Sequence, residues 1–218
     1  MDESRDELKV RALQIIERLE REHPDAKIAL EFSNPLELLV ATILAAQCTD
    51  ERVNQVTRSL FKKYRTAEDY ANADLATLEQ DIKPTGFYRK KAERLKEVCR
   101  TLIERFNSEV PSNMNDLLSL PGVARKTANI VLSNAFGIDE GIIVDTHVFR
   151  LARRLGLSQS KTREKVERDL MEVVPKEKWG RFADLLIFHG RRVCNARKPR
   201  CEVCVLKDIC PSSSTFEA

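Results

Sequence analysis

Four of the six cysteines crowd together near the C-terminal end as Cys194-x6-Cys201-x2-Cys204-x5-Cys210, and that spacing constrains this chain more than any other feature of its sequence. Four soft ligands within 17 residues, with no histidine between them, suit either tetrahedral zinc or a four-iron, four-sulfur cluster. Spacing alone does not choose between the two. Cys48 and Cys99 stand apart from the group. Met1 is followed by Asp2, Glu3, Arg5, Asp6 and Glu7 with no apolar stretch, so neither a secretion signal nor a mitochondrial presequence is expected. Without export, thiols stay reduced, and clustered cysteines read as metal ligands rather than disulfides.

Around this loop the apolar residues recur at helical spacing, and no convincing alternating strand pattern interrupts them. Leu8, Ala12, Ile15, Ile16 and Leu19 mark one face of a first helix that ends near His23-Pro24. Asn34-Pro35 reads as an N-cap with proline at the first helical position, opening an almost wholly apolar stretch from Leu36 to Ala46 that belongs in the centre of a core. Further amphipathic helices are expected at 51–63, 74–82, 88–106, 123–136, 146–155, 160–173 and 179–189. Gly86, Gly122, Gly137, Gly156 and Gly190 stand where predicted helices start or stop. The fold class is therefore all-α, with the Ser-Ser-Ser segment at 212–214 opening a flexible tail over 212–218.

With 218 residues, 42% of them apolar and 33% charged, the chain has material for one or two globular domains and lacks the run of about 20 apolar residues that a membrane span needs. Its net charge of +3 says little about partners, but the distribution is uneven. Residues 1–23 carry five basic and seven acidic side chains, whereas residues 191–210 carry six basic and two acidic. The positive potential is concentrated at the cysteines, where Arg197, Lys198 and Arg200 could grip phosphate oxygens or simply be solvated.

Two further segments carry chemistry. Leu120-Pro121-Gly122-Val123-Ala124-Arg125-Lys126-Thr127-Ala128 joins a short apolar element to a helix. The Pro-Gly hairpin and the following helix start present backbone N–H groups that suit a phosphate, or that water can hydrate at an ordinary helical corner. Lys126 lies near that helix start, where the dipole, Arg125 and burial would favour the neutral amine of a nucleophile, although a lone lysine is equally a solvated surface charge. Nineteen residues on, Gly141-Ile142-Ile143-Val144-Asp145-Thr146-His147 delivers an acid to the head of the next helix. Asp145 is an expected N-cap, and a carboxylate held that way can also stabilise a cationic transition state.

Taken together these segments resemble the endonuclease III family of DNA glycosylases. Leu120–Ala128 resembles its helix–hairpin–helix motif, Gly141–Asp145 the loop and aspartate that follow, and Cys194–Cys210 its terminal iron–sulfur loop; Ala45–Asp50 and Gly86–Ala92 also match family segments. The resemblance runs from about residue 30 to 211. It implies two helical domains with a DNA-binding cleft between them: a six-helix barrel over 25–139, including a helix–hairpin–helix at 113–136, and a discontinuous domain of 1–24 plus 140–211 holding a [4Fe-4S] cluster on Cys194, Cys201, Cys204 and Cys210.

The resemblance further implies a bifunctional glycosylase and abasic-site lyase of base excision repair, acting as a monomer on oxidised pyrimidines in duplex DNA. Lys126 would attack the sugar C1′ of a flipped nucleotide, and Asp145 would stabilise positive charge on the sugar. Gln47 and Phe87 match positions that fill or line the gap left by that nucleotide, His147 a contact near the lesion, and Gly122, Val123 and Ala124 the hairpin that meets phosphate. A cytoplasmic, nucleoid-associated setting in a prokaryote fits the missing targeting segment.

Two departures qualify the match. Ala124 stands where many relatives have a second glycine, which would be strained if the hairpin needed positive φ there, and Ser119 replaces an acid found in some relatives. The competing readings are a monofunctional mismatch or other-lesion glycosylase, and a non-catalytic iron–sulfur protein that binds DNA or senses redox state.

Overall fold

The computed structural model describes residues 3–216. Met1 and Asp2 of the expected leaderless start, and the last two residues of the expected tail, lie outside the described residues. Those described are helical or irregular, with no strand among them.

Helix α1 (Arg5–Glu22) starts at Ser4, whose hydroxyl accepts from the Glu7 amide while the Glu7 carboxylate accepts from the Ser4 amide, a complete capping box. Its buried face is Ala12, Ile15, Ile16 and Leu19, and it stops one residue before His23. Helix α2 (Pro35–Leu44) has Asn34 as N-cap and Pro35 in its first turn, and buries Leu38, Leu39, Val40, Ala41, Thr42 and Leu44. It ends two residues short of the expected Ala46. There follow α3 (Asp50–Lys63), α4 (Ala67–Asn72), α5 (Leu75–Ile82), α6 (Tyr88–Phe106), α7 (Met114–Ser119) and α8 (Arg125–Val131), the last continued by a π turn over Leu132–Phe136. Then come α9 (Thr146–Arg154), α10 (Arg163–Val173) and α11 (Trp179–Arg192), and three 3-10 turns over 201–216.

Two compact units divide the chain: Ala29–Glu140, and residues up to Ile28 together with those from Gly141 onward. In the first, α2 packs against α3, α6 and α8, as its all-round apolar surface requires, with Tyr70, Leu78, Leu95 and Leu102 filling the space beside it. In the second, α1 packs against α10 and α11, and α9 against the same pair, around Ile15, Leu19, Leu151, Leu170 and Phe182.

Helices α4 and α7 have only six residues each, too few for a periodic pattern, and are fixed at their starts by Thr66 and Asn113. Three expectations read differently in the structure. The helix expected from 160 begins at Arg163, because Thr162 caps it. Gly190 lies inside α11 rather than at its end: a Cβ there would stand 3.0 Å from His147 Nδ1 and 3.1 Å from Arg150 Nη2, so glycine permits a close approach of α9. The segment expected to be a loose tail forms a 3-10 turn over Ser213–Phe216, with the Arg154 guanidinium 4.6 Å above the Phe216 ring.

Candidate functional site

The hairpin between α7 and α8 turns at Gly122, whose φ of +66° is the left-handed conformation that glycine adopts without strain. The Val123 amide closes the turn on the Leu120 carbonyl at 3.2 Å, and the Val123 side chain is buried. Ala124 is extended, with φ −90° and ψ 165°, and serves as the N-cap position of α8. Its missing glycine therefore causes no backbone strain. Ser119 is turned back on its own helix, donating to the Asp116 carbonyl at 2.7 Å. Lys126 occupies the first turn of α8 and is exposed. Of the effects that would favour a neutral amine, the helix start and Arg125 are present and burial is not.

Asp145 is the N-cap of α9. Its Oδ1 accepts from the His147 amide at 2.7 Å and the Val148 amide at 2.8 Å, leaving Oδ2 without a protein partner among the described residues. The buried run Ile142, Ile143 and Val144 fixes the approach to this cap, and Asp145 itself is half-buried. His147 is half-buried, and burial pushes its pKa down. Its Nδ1 lies 3.1 Å from Arg150 Nη2, and an arginine can only donate. Arg150 also donates to the carbonyls of Gly190 and Cys194, each at 3.0 Å, which ties α9 to the cysteine loop.

Gln47 and Phe87 both stand in tight turns with left-handed backbone, φ +54° and +48°. Gln47 is exposed just beyond α2, and Phe87 is exposed at the start of α6. Arg197, Lys198 and Arg200 are exposed, and none pairs with a carboxylate among the described residues.

All four cysteines of the C-terminal loop line one small pocket, walled by Leu151, Leu155, Val193 and Leu206 and bordered by Arg154, His189 and Lys207. Burial pushes the Cys204 thiol up to about 11, with the other three cysteines adding to the shift, and burial raises Cys201 and Cys210 as well. Four ionised thiolates in so apolar a space need a cationic centre, and binding one releases their protons. The donor set, four cysteine sulfurs with no carboxylate among them, fits an iron–sulfur cluster. Polar groups already face the sulfurs: Arg154 Nη1 donates to Cys194 Sγ at 3.3 Å, the Leu206 amide donates to Cys204 Sγ at 3.4 Å, and His189 Nε2 lies 3.3 Å from the same sulfur. His189 is in turn 3.1 Å from the buried His23.

Arg150, Arg154 and His189 were not singled out in the sequence. Their signal was faint: each lies on a helix that packs beside the cysteines, and basic residues there read as solvated. Lys91 was missed for a better reason to look, since it shares the spacing of the buried Leu95, Val98 and Leu102 on α6, where a lysine is out of place.

Residues 40–176 match the HhH-GPD superfamily of base excision DNA repair proteins, and residues 194–210 match the iron–sulfur binding domain of endonuclease III. The chain is 50% identical over 205 residues to endonuclease III of Synechocystis, covering 94% of each chain. It is 43% identical over 202 residues to endonuclease III of Escherichia coli K12, covering 93% of this chain and 95% of that one. Among solved structures, a non-covalent endonuclease III–DNA complex and a trapped endonuclease III–DNA covalent intermediate each match with a TM-score of 0.89 and 44% identity over 95% of this chain and 97% of theirs. A thermostable thymine-DNA glycosylase matches with a TM-score of 0.80 at 27% identity, covering 98% of this chain and 100% of that one.

Proposed function

The chain belongs to the endonuclease III family of HhH-GPD base excision repair proteins, and from that membership we propose the residues and the lesion class through which it works. It is a DNA glycosylase and abasic-site lyase whose cofactor is a [4Fe-4S] cluster.

The amine of Lys126 attacks C1′ of a nucleotide turned out of the duplex, and the C1′–N bond to the damaged base breaks as the base departs with a proton. Oδ2 of Asp145, the oxygen its cap leaves available, stabilises positive charge on the sugar. The C1′–O4′ bond then opens, with a proton from the nitrogen passing to O4′, and the protonated imine so formed on Lys126 makes the C2′ proton acidic. Loss of that proton drives elimination of the 3′ phosphate and nicks the strand. The observation that carries this reading is the exposure of Lys126 directly behind the Gly122 hairpin, in a chain similar to one trapped covalently on DNA.

Cys194, Cys201, Cys204 and Cys210 hold the cluster, which supplies cross-linking of the loop; the elimination transfers no electron. Arg197, Lys198 and Arg200, on the loop so ordered, meet phosphates with the amides of Gly122, Val123 and Ala124, while Gln47 and Phe87 occupy the gap left by the flipped nucleotide and His147 contacts the lesion site. The substrates are oxidised pyrimidines in duplex DNA, met by a monomer at the nucleoid. Borohydride trapping on a duplex with one oxidised pyrimidine, followed by peptide mapping, tests the assignment. An adduct on Lys126 is expected; base release with no adduct would sink the Schiff-base route.

A further inference from the structure

Among the described residues, four that are not glycine have left-handed backbone: Gln47, Phe87, Asn107 and Ser108. Asn107 and Ser108 form an ordinary helix ending, since the Ser108 amide donates back to the Leu102 carbonyl at 3.0 Å. Gln47 stands in a turn that the Cys48 amide closes on the Ala45 carbonyl at 3.1 Å, and Phe87, at the start of α6, lies in no helix ending. A bulky aromatic residue at positive φ is a true outlier, and it persists only where the surroundings dictate it. Phe87 also leaves 65% of its surface in solvent, so apolar burial does not hold it there.

What the two turns share is Lys91. Its ammonium is buried, only 6% of the residue being exposed, and donates to the Leu44 carbonyl at 2.7 Å and the Thr85 carbonyl at 2.8 Å. Leu44 is the last residue of α2, three before Gln47, and Thr85 stands two before Phe87. One cation thus closes the C-terminus of α2, where its charge suits the helix dipole, and the 3-10 turn Lys83–Thr85 in the same stroke. Thr85 is itself buried, with its hydroxyl on the Ile82 carbonyl at 2.8 Å, so the second anchor is stiff.

We propose that Lys91 is a positioning residue for lesion recognition: by donating to Leu44 and Thr85 together it sets the two strained turns in fixed register, so that Gln47 and Phe87 enter the DNA as one pre-organised pair. The inference rests on the reading of Gln47 and Phe87 as residues that occupy the gap. Pre-organisation predicts that losing Lys91 costs discrimination rather than general DNA affinity, because phosphate contacts lie elsewhere.

The test compares Lys91→Met, Lys91→Arg and the double variant Gln47→Ala/Phe87→Ala in the cluster-loaded protein. Each is titrated against a duplex with one uncleavable abasic-site analogue and against the same duplex intact, with thermal melting in parallel. Lys91→Met is expected to lower the preference for the abasic duplex at least tenfold, with affinity for intact duplex changed less than twofold. Lys91→Arg, which keeps charge and two donors, is expected to recover most of that preference. Amide exchange at Cys48 and Gly86 should rise together in Lys91→Met only. Lys91→Met with wild-type preference, while the double variant loses it, would overturn the proposal and leave the reading of the pair standing. A double variant with wild-type preference would overturn that reading and the proposal with it. If neither Lys91 variant folds, Lys91 is a core strut and the proposal falls as well.

Discussion

Asp145 Oδ1 lies 2.8 Å from the Val148 amide nitrogen, so the carboxylate proposed to face the sugar is the same group that starts α9. The two duties use different oxygens and can be separated. Asp145→Asn retains an acceptor for the cap and loses the negative charge, so its melting temperature should stay within about 2 °C of wild type, while Asp145→Ala, losing about 1 kcal/mol of capping, should melt about 2–4 °C lower. Base release should fall by at least 100-fold in both, as measured under single-turnover conditions. Near wild-type release by Asp145→Asn would remove the carboxylate from the chemistry.

Lys126 is exposed, and its replacement should leave the fold alone. Lys126→Gln is expected to unfold within about 0.5 kcal/mol of wild type, to bind an abasic-analogue duplex within a few-fold, and to form no borohydride-trapped adduct. A variant that still nicks abasic sites through a trappable intermediate would point to another amine.

The divide between what was readable in the sequence and what was not follows interaction range. The capping signals at Asn34-Pro35 and Asp145, and the face Leu8 to Leu19, are encoded within a turn or two of the chain and appear as expected. Gly190 and Lys91 were opaque because at least one partner of each lies far away in sequence: the His147 imidazole across from one, the Leu44 carbonyl at the end of α2 for the other. The exposure of Lys126 matches the solvated charge that a lone lysine on a helix most often is.

The sulfur donors give the cluster loop a separate test. Arg154 donates to the carbonyls of Asn195 and Ala196, at 2.7 and 2.8 Å, besides facing Cys194 Sγ. Arg154→Met should destabilise the loop by about 1–3 kcal/mol through the orphaned carbonyls. The protein should carry four irons per chain and absorb visibly, and in the variant that absorbance should bleach several-fold faster under chelator and oxidant. A colourless wild-type protein with one zinc would contradict the cluster assignment.

Acid should weaken the start of α4. The Asp69 carboxylate accepts from the amides of Arg65 and Thr66, at 2.7 and 3.0 Å, and those bonds hold its pKa below the ordinary 3.8. A carboxyl depressed on folding stabilises fully above its unfolded value and loses that contribution as pH falls through its folded value. The gap in urea midpoint between wild type and Asp69→Ala should therefore be constant well above the ordinary carboxyl range and narrow as pH falls through and below it. A gap independent of pH would assign the effect to shape rather than charge.

Salt dependence separates phosphate contacts from lesion contacts. Each phosphate neutralised contributes a slope of about −0.9 in log affinity against log salt. Arg197→Ala, Lys198→Ala and Arg200→Ala, exposed and without carboxylate partners among the described residues, should each flatten the slope by up to about one, equally for damaged and intact duplex. Removing Phe87 should leave the slope unchanged and reduce the preference for the damaged duplex. The opposite pattern, a Phe87→Ala variant with altered salt slope and basic-residue variants with altered lesion preference, would exchange the two assignments.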